Sequence, residues 1–187
     1  MLKEKYKKEV IPLMQKKFRY KNIMMVPKIE KVVINMSYGK LISNKTSGEQ
    51  KKIINNIIQN LSNIVGQNMI ITKAKKSISA FKTRKGHPIG VYTTLRGKKM
   101  YDFLERLIYL GLPRIRDFQG IDPKKFDKNG NLTIGIKEHI SFLEGFNEGM
   151  KDIFSFQITI NVSNNKREES IELLKLMGFP IKQREKK

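Results

Sequence analysis

Apolar residues recur along this chain with two different periods, and the switches between them outline the elements. Leu2, Tyr6, Val10, Leu13 or Met14 and Phe18 fall at helical spacing with lysines between them, which predicts an amphipathic helix. Pro12 lies inside it; a proline removes one intrahelical bond and crowds the preceding turn, so two short helical pieces or a kink are expected. Residues 28–37 change to period two, with Val32, Ile34 and Met36 on one side and Lys31, Val33 and Asn35 on the other. A strand of this kind buries one face and offers the second to whatever it touches. Helical spacing returns in Ile53, Ile54, Ile57, Ile58, Leu61, Ile64 and Val65. Gly66 is suited to end that helix in the left-handed conformation, and Thr46 with Glu49, or Ser47 with Gln50, offers a capping box at its start.

Further strands are expected at Met69 to Thr72 and Ile89 to Leu95, with a glycine-containing basic loop between them. Phe103, Leu104, Leu107 and Ile108 give a helix over 101–110 that Gly111 and Pro113 stop. Residues 111–130 are irregular and close on the turn dipeptide Asn129-Gly130, after which Leu132 to Ile136 reads as a strand. A polar, glycine-interrupted stretch runs to Lys151. Phe154, Phe156, Ile158, Ile160 and Val162 then alternate with Ser155, Gln157, Thr159 and Asn161, a strand with one core face and one open polar face. Residues 166–177 form a last helix, with Glu168 and Glu169 in its first turn, where the helix dipole favours them, and Gly178 and Pro180 beyond it. This mixture implies an α+β fold, an antiparallel-rich sheet with helices packed on one face and a long basic loop. It is read as a single domain over 1–187 with a basic N-terminal helix and a short basic C-terminal tail.

Composition sharpens the picture. At 187 residues and 39% hydrophobic content the chain can bury a core, yet its formal charge is +21. Self-repulsion of that size is relieved by a polyanion. The charge is uneven: residues 1–49 carry 12 basic and 4 acidic side chains, 50–101 carry 11 and 0, 102–165 carry 8 and 9, and 166–187 carry 7 and 4. The first half and the tail therefore face the polyanion, and the near-neutral 102–165 is free to meet a protein. No window approaches the roughly 18 apolar residues of a membrane span, and the lysine-rich start lacks the apolar run of a signal peptide, so a cytoplasmic protein with no membrane partner is expected.

Chemistry is thin. The absence of cysteine excludes disulfides, thiolate metal sites and cysteine nucleophiles, and only His87 and His139 remain for metal or acid-base work, without companions at ligand spacing. Asp127 to Glu138 mimics a calcium loop, but Leu132 stands where that loop needs glycine, and its flanks read as turn and strand. Asp102 and Glu105 read as a solvated helix face rather than a catalytic pair. No metal, cofactor or catalytic constellation is expected, and the chain reads as a non-enzyme.

The segment 66–101, GQNMIITKAKKSISAFKTRKGHPIGVYTTLRGKKMY, contains no acid, and interleaves Phe81, His87 and Tyr92 with Lys73, Lys75, Lys76, Lys82, Arg84, Lys85 and Arg96. Cations hold phosphates while flat rings stack on unpaired bases, so structured RNA fits better than duplex DNA, for which no recognition helix is present. Two other readings stay open on the residues alone: an RNA-processing or RNA-modifying enzyme, and a non-specific architectural nucleic-acid binder.

Several long motifs in one order carry a resemblance: VPKIEKVVINM at 26–36, GQNMIITKAKKSISAFKTRKGHPIG at 66–90, TLRGKKMYDFLERL at 94–107, LPRIRDFQG at 112–120 and FDKNGNLTIGIKEHISF at 126–142. Over Tyr6 to Pro180 the chain resembles bacterial large-subunit ribosomal protein number five, the 5S rRNA-binding family. The resemblance implies a structural constituent of the large ribosomal subunit, without catalysis, that binds 5S rRNA and helps attach it in the central protuberance. Its implied partners are 5S rRNA, 23S rRNA, the P-site tRNA, the small-subunit head ribosomal protein number thirteen and neighbouring central-protuberance proteins. Matched residue by residue, Asn35 with Met36, Gln67 and Thr94 look like the family's residues set against 5S rRNA, with Thr72, Lys73, Lys75 and Arg96 beside them. The loop 75–88 resembles the family's arm toward the tRNA elbow, which has to be basic and mobile, with Lys76, Ser77, Phe81, Lys82, Arg84, Lys85 and His87 as its contacts. Arg114, Arg116, Asp117 and Phe118 fall in the region implied to bridge to the small-subunit head. Departures from the pattern are Ser37-Tyr38 where Gly-Val is common, Phe142-Leu143-Glu144 in place of Phe-Pro-Glu, and 149–162 in place of a more regular strand start.

Overall fold

The computed structural model describes residues 2–42, 45–81, 83–142, 144, 153–163 and 166–182. The expected loop around 43–44, Lys82, Leu143, most of the glycine-interrupted stretch at 145–152 and the tail beyond Lys182 lie outside the described residues.

Alternating sequence becomes a twisted frame of five strands, β1 (Ile29–Ser37), β2 (Ile70–Lys73), β3 (Pro88–Leu95), β4 (Leu132–Ile136) and β5 (Phe156–Val162). Their order is β2-β3-β1-β5-β4 and every neighbouring pair is antiparallel. Because side chains alternate across a pleat, pairing Val32 with Leu95 and Ile160 puts all three on one face. That face is apolar: Val32, Ile34, Leu95, Leu132, Ile158 and Ile160 are all fully buried. Each such side chain contributes about 1.5–3 kcal/mol relative to exposure, so a one-residue slip of β1 would forfeit the whole set.

Helices supply the opposing wall. They are α1 (Leu2–Lys5), α2 (Ile11–Phe18), α3 (Gly39–Ile42), α4 (Ser47–Val65), α5 (Gly97–Arg106) and α6 (Arg167–Met177). Ile57, Leu61 and Ile64 of α4, Phe103 and Leu104 of α5, and Leu173, Leu174 and Met177 of α6 join the sheet's apolar side in one hydrophobic cluster. The expected α+β fold with helices on one sheet face is therefore what forms, and the opposite face carries no helix among the described residues.

Local signals behave as the sequence implies. The Glu49 carboxylate accepts from the Thr46 N–H at 3.0 Å and from its hydroxyl at 2.9 Å, and Gly66 closes α4 at φ 75° with its N–H on Ser62 O at 2.8 Å. Pro12 has a subtler effect than a break. A π-helical turn at Tyr6–Val10 links α1 to α2, the Ile11 N–H reaching back to Tyr6 O, so the chain widens by one residue just before the proline and stays helical. The calcium-like stretch is a turn that uses its own carboxylate: Asp127 Oδ1 accepts the Asn131 N–H at 2.7 Å and Oδ2 its side-chain amide at 2.8 Å.

His139 packs inside the protein. It is buried, its ring stacked on Phe154 with centroids 3.9 Å apart, and its Nδ1 accepts the Phe154 N–H at 3.4 Å. Burial holds its pKa below the ordinary 6.5. Tyr38, standing where the resemblance expects a small residue, is fully buried and fills the core instead.

Candidate nucleic-acid interface

The open face of the sheet follows from the same register. Asn35 of β1 pairs with Tyr92 of β3 and Gln157 of β5; Tyr92 in turn pairs with Ile70, and Gln157 with Gly135. One row of five co-facial residues therefore crosses every strand: Ile70, Tyr92, Asn35, Gln157, Gly135. The next row holds Thr94, Val33, Thr159 and Thr133. Asn35 and Thr94 stand on neighbouring strands two positions apart, a diagonal of about 7–8 Å or less that one nucleotide can span.

Gln67 is brought to the end of β3 by the helix end. After Gly66 the chain turns back along β3, and the Gln67 side-chain amide donates to Thr93 Oγ1 at 3.0 Å and to Thr94 O at 3.2 Å. Both amide hydrogens are thereby engaged, which locks the side chain and leaves Oε1 as its hydrogen-bonding atom for a ligand. Thr93 anchors this arrangement from the buried side, its hydroxyl also donating to Asn68 O at 3.3 Å. Asn35 is steadied from the opposite side, its amide nitrogen 3.5 Å from Gln157 Oε1.

Arg96 follows β3 directly after Thr94 and Leu95, whereas Lys73 pairs with Pro88 at the other end of β3. Lys73, Lys75 and Arg96 are exposed, and Thr72 is half-buried over Gly90. Gly90 itself is required by close approach, since a Cβ there would meet Met36 O at 2.6 Å. Among the described residues no cation between Lys51 and Lys99 forms a salt bridge, so this charge is unspent and available to phosphate.

Met36 stands apart from the open row, although it lines a depression at the end of β1. It is 4% exposed and points into the core, because the pleat sends consecutive residues to opposite faces and Asn35 already takes the open one. Its role is to hold β1 from beneath.

Between β2 and β3 the chain is laced rather than free in its described part. Ala74 N–H meets His87 O at 2.8 Å, Gly86 N–H meets Ala74 O at 2.9 Å, and Ile78 and Thr83 exchange bonds of 2.9 and 3.1 Å around a short 3-10 turn at Ser79–Phe81. The Ser77 hydroxyl accepts the Lys85 N–H at 2.9 Å. Lys76, Arg84 and Lys85 are exposed along this hairpin, and His87 is half-buried at its base.

Arg114, Arg116 and Asp117 are exposed and Phe118 half-buried in the segment after α5. The end of that segment meets the residues after α6 through an isolated parallel bridge between Ile121 and Ile181, and Lys182 Nζ donates to Gln119 Oε1 at 3.1 Å. Among the described residues no hydrogen bond or salt bridge joins these four to Asn35, Gln67 or Thr94. Sequence reasoning did not single out Gln157 or Thr93 as parts of the site; the alternation of 154–162 puts Gln157 on the open face, but only the register places it beside Asn35.

Comparison with known proteins identifies the family. The ribosomal protein L5 family profile matches residues 22–84, and the separate profile of that family's C-terminus matches residues 88–181. The chain is 47% identical over 183 residues to the large ribosomal subunit protein uL5 of Halothermothrix orenii, covering 98% of this chain and 99% of that one. It is 48% identical over 181 residues to the uL5 of Geotalea daltonii, with 97% and 98% covered. Against the uL5 of Symbiobacterium thermophilum the identity is 45% over 183 residues, with 98% of each chain covered. With both halves matched and relatives aligned from end to end, the chain belongs to the ribosomal protein L5 family, a family of large ribosomal subunit proteins.

Proposed function

We propose that the chain is a structural, RNA-holding constituent of the large ribosomal subunit, and that Asn35, Gln67 and Thr94 with the flanking Thr72, Lys73, Lys75 and Arg96 grip 5S rRNA and help attach it in the central protuberance. The observation that carries this reading is the Gln67 amide fixed on Thr94 O, with Asn35 and Thr94 co-facial on neighbouring strands and the segment 66–101 free of acids. Cations alone give salt-dependent, unselective binding; fixed amide and hydroxyl groups add discrimination of base edges and 2′-hydroxyls. The remaining open face, with Tyr92, Thr133, Thr159 and Asn161, suits 23S rRNA. The laced hairpin 75–88 reaches the elbow of the P-site tRNA, where phosphates are common to all tRNAs and point charges suffice. The patch of Arg114, Arg116, Asp117 and Phe118 meets the small-subunit head ribosomal protein number thirteen as an intersubunit bridge, with other central-protuberance proteins as neighbours.

The test is filter binding of 5S rRNA to Asn35→Ala, Thr94→Ala and the double variant. The double variant is expected to lose ~1–3 kcal/mol of affinity, the size of lost polar contacts in an electrostatic interface. Unchanged affinity in all three would remove these residues from the site.

A further inference from the structure

Beyond β1, away from Gln67 and Thr94, the open face holds a depression of about 500 Å³ at the β1, β5 and β4 end of the sheet. Its position follows from one missing side chain. Gly135 is the member of the co-facial row that follows Gln157, is exposed, and an added Cβ there would meet nothing within 4 Å. The strand surface is therefore notched where every other row member carries a side chain. Asn35 and Gln157 line one side, and Lys125 and Lys137, both exposed, line the cavity as well. No carboxylate lines it among the described residues. The volume is in the range of small-ligand sites, and two amides, two cations and the hydroxyls of Ser37 and Ser155 line it together with Met36, Ile136 and Phe156.

We infer that this notch is a binding site for a single unpaired nucleotide of an RNA, its base seated over Gly135, its edge read by Gln157 and Asn35, and its phosphates held by Lys125 and Lys137. This deepens the RNA-binding reading above and rests on it. The amide pair favours a base that offers a donor beside an acceptor. Asn35 Nδ2 lies 3.5 Å from Gln157 Oε1, which leaves Asn35 Oδ1 as acceptor and Gln157 Nε2 as donor toward the notch. Adenine, like unpaired cytosine, offers an amino donor next to a ring acceptor, the pattern that amide groups match with two bonds, whereas guanine's major-groove edge offers two adjacent acceptors. A paired base cannot enter, because the notch lies on a strand surface and the base must leave its stack to reach it. The site is distinct from the Gln67 and Thr94 pair, sharing Asn35 alone.

The experiment uses the full chain and two fluorescent RNA stems identical except that one carries a single unpaired adenosine. Anisotropy titrations at about 0.15 M salt, where exposed charges are screened beyond roughly 8 Å, minimise the non-specific term. The wild type is expected to bind the stem with the unpaired adenosine about tenfold tighter, the discrimination of one good bidentate contact. Gly135→Val, a strand-compatible residue that fills the notch, is expected to bind both stems alike, and Gln157→Ala to lose most of the preference. Should Gly135→Val fail to fold by far-ultraviolet circular dichroism, Gln157→Ala, altered at an exposed position of β5, carries the test alone. A wild-type ratio near one, or folded variants that keep the wild-type ratio, overturns the notch as a nucleotide site. If the wild type then still binds 5S rRNA, only the notch is lost; failure to bind 5S rRNA or either stem sinks the RNA-binding reading with it.

Discussion

Gln67→Ala tests how the recognition surface is built as well as what it binds. The substitution removes two hydrogen bonds, to Thr93 Oγ1 at 3.0 Å and Thr94 O at 3.2 Å. Thr93 is fully buried and keeps its own donation to Asn68 O, so no donor is orphaned, and the loss is that of two ordinary bonds at about 1 kcal/mol each. For a chain of this size ~2 kcal/mol corresponds to a melting temperature lower by roughly 4–8 °C. The effect on RNA is separate. With both amide hydrogens committed to the protein, Gln67 offers the RNA one acceptor, and its loss should weaken 5S rRNA binding roughly fivefold. Gln67→Glu keeps an acceptor while losing the donors, so it should melt like the alanine variant and bind worse because a carboxylate now faces phosphates. Melting by circular dichroism and filter binding on the same preparations read the two effects. A melting temperature unchanged from wild type in Gln67→Ala would refute the locked amide, whatever happened to the affinity.

Two further expectations concern regions away from that contact. Replacing Lys82, Arg84 and Lys85 with alanine should leave 5S rRNA binding intact while weakening retention of tRNA on reconstituted ribosomes; equal loss of both would show that the hairpin is no separate arm. His139 makes stability pH-dependent: its folded pKa lies below the ordinary 6.5, so the unfolded chain takes up the proton first, and the stability this histidine contributes is present above about pH 6.5 and lost as pH falls through the lower folded value. Urea melts between about pH 7.5 and 5.5 should show this loss in the wild type and a flatter profile in His139→Phe, which keeps a flat ring against Phe154 without a titrating group; parallel profiles would remove His139 as the cause.

Much of the frame was legible because each strand repeats its own period. Val32, Ile34 and Met36 mark the buried side of β1 without any knowledge of its partners, and Ile158 with Ile160 does the same for β5. Both ends of α4 were equally local, since Thr46 with Glu49 at its start and Gly66 at its close act within a turn of themselves. What escaped depends on register between distant residues. Gln157 stands beside Asn35 across 122 positions, and Gln67 finds Thr93 across 26; no local pattern encodes either pairing. Met36 follows Asn35 in the same motif, but the pleat turns it to the buried side of β1. The π turn before Pro12 escaped because a missing hydrogen bond says that a helix must adjust, not how. His139 escaped because its stacking partner Phe154 lies across a connection whose course the sequence does not reveal.

The central claim is selective holding of 5S rRNA by fixed polar groups within a basic surface, as opposed to attraction of any polyanion. Competition measures it directly: labelled 5S rRNA is bound to the full chain at one salt concentration and challenged with unlabelled 5S rRNA or with bulk tRNA. Selective holding predicts displacement by unlabelled 5S rRNA at much lower concentration than by bulk tRNA, with the difference reduced in the Asn35→Ala, Thr94→Ala double variant. Equal displacement by the two competitors would contradict it and leave a non-specific cationic binder.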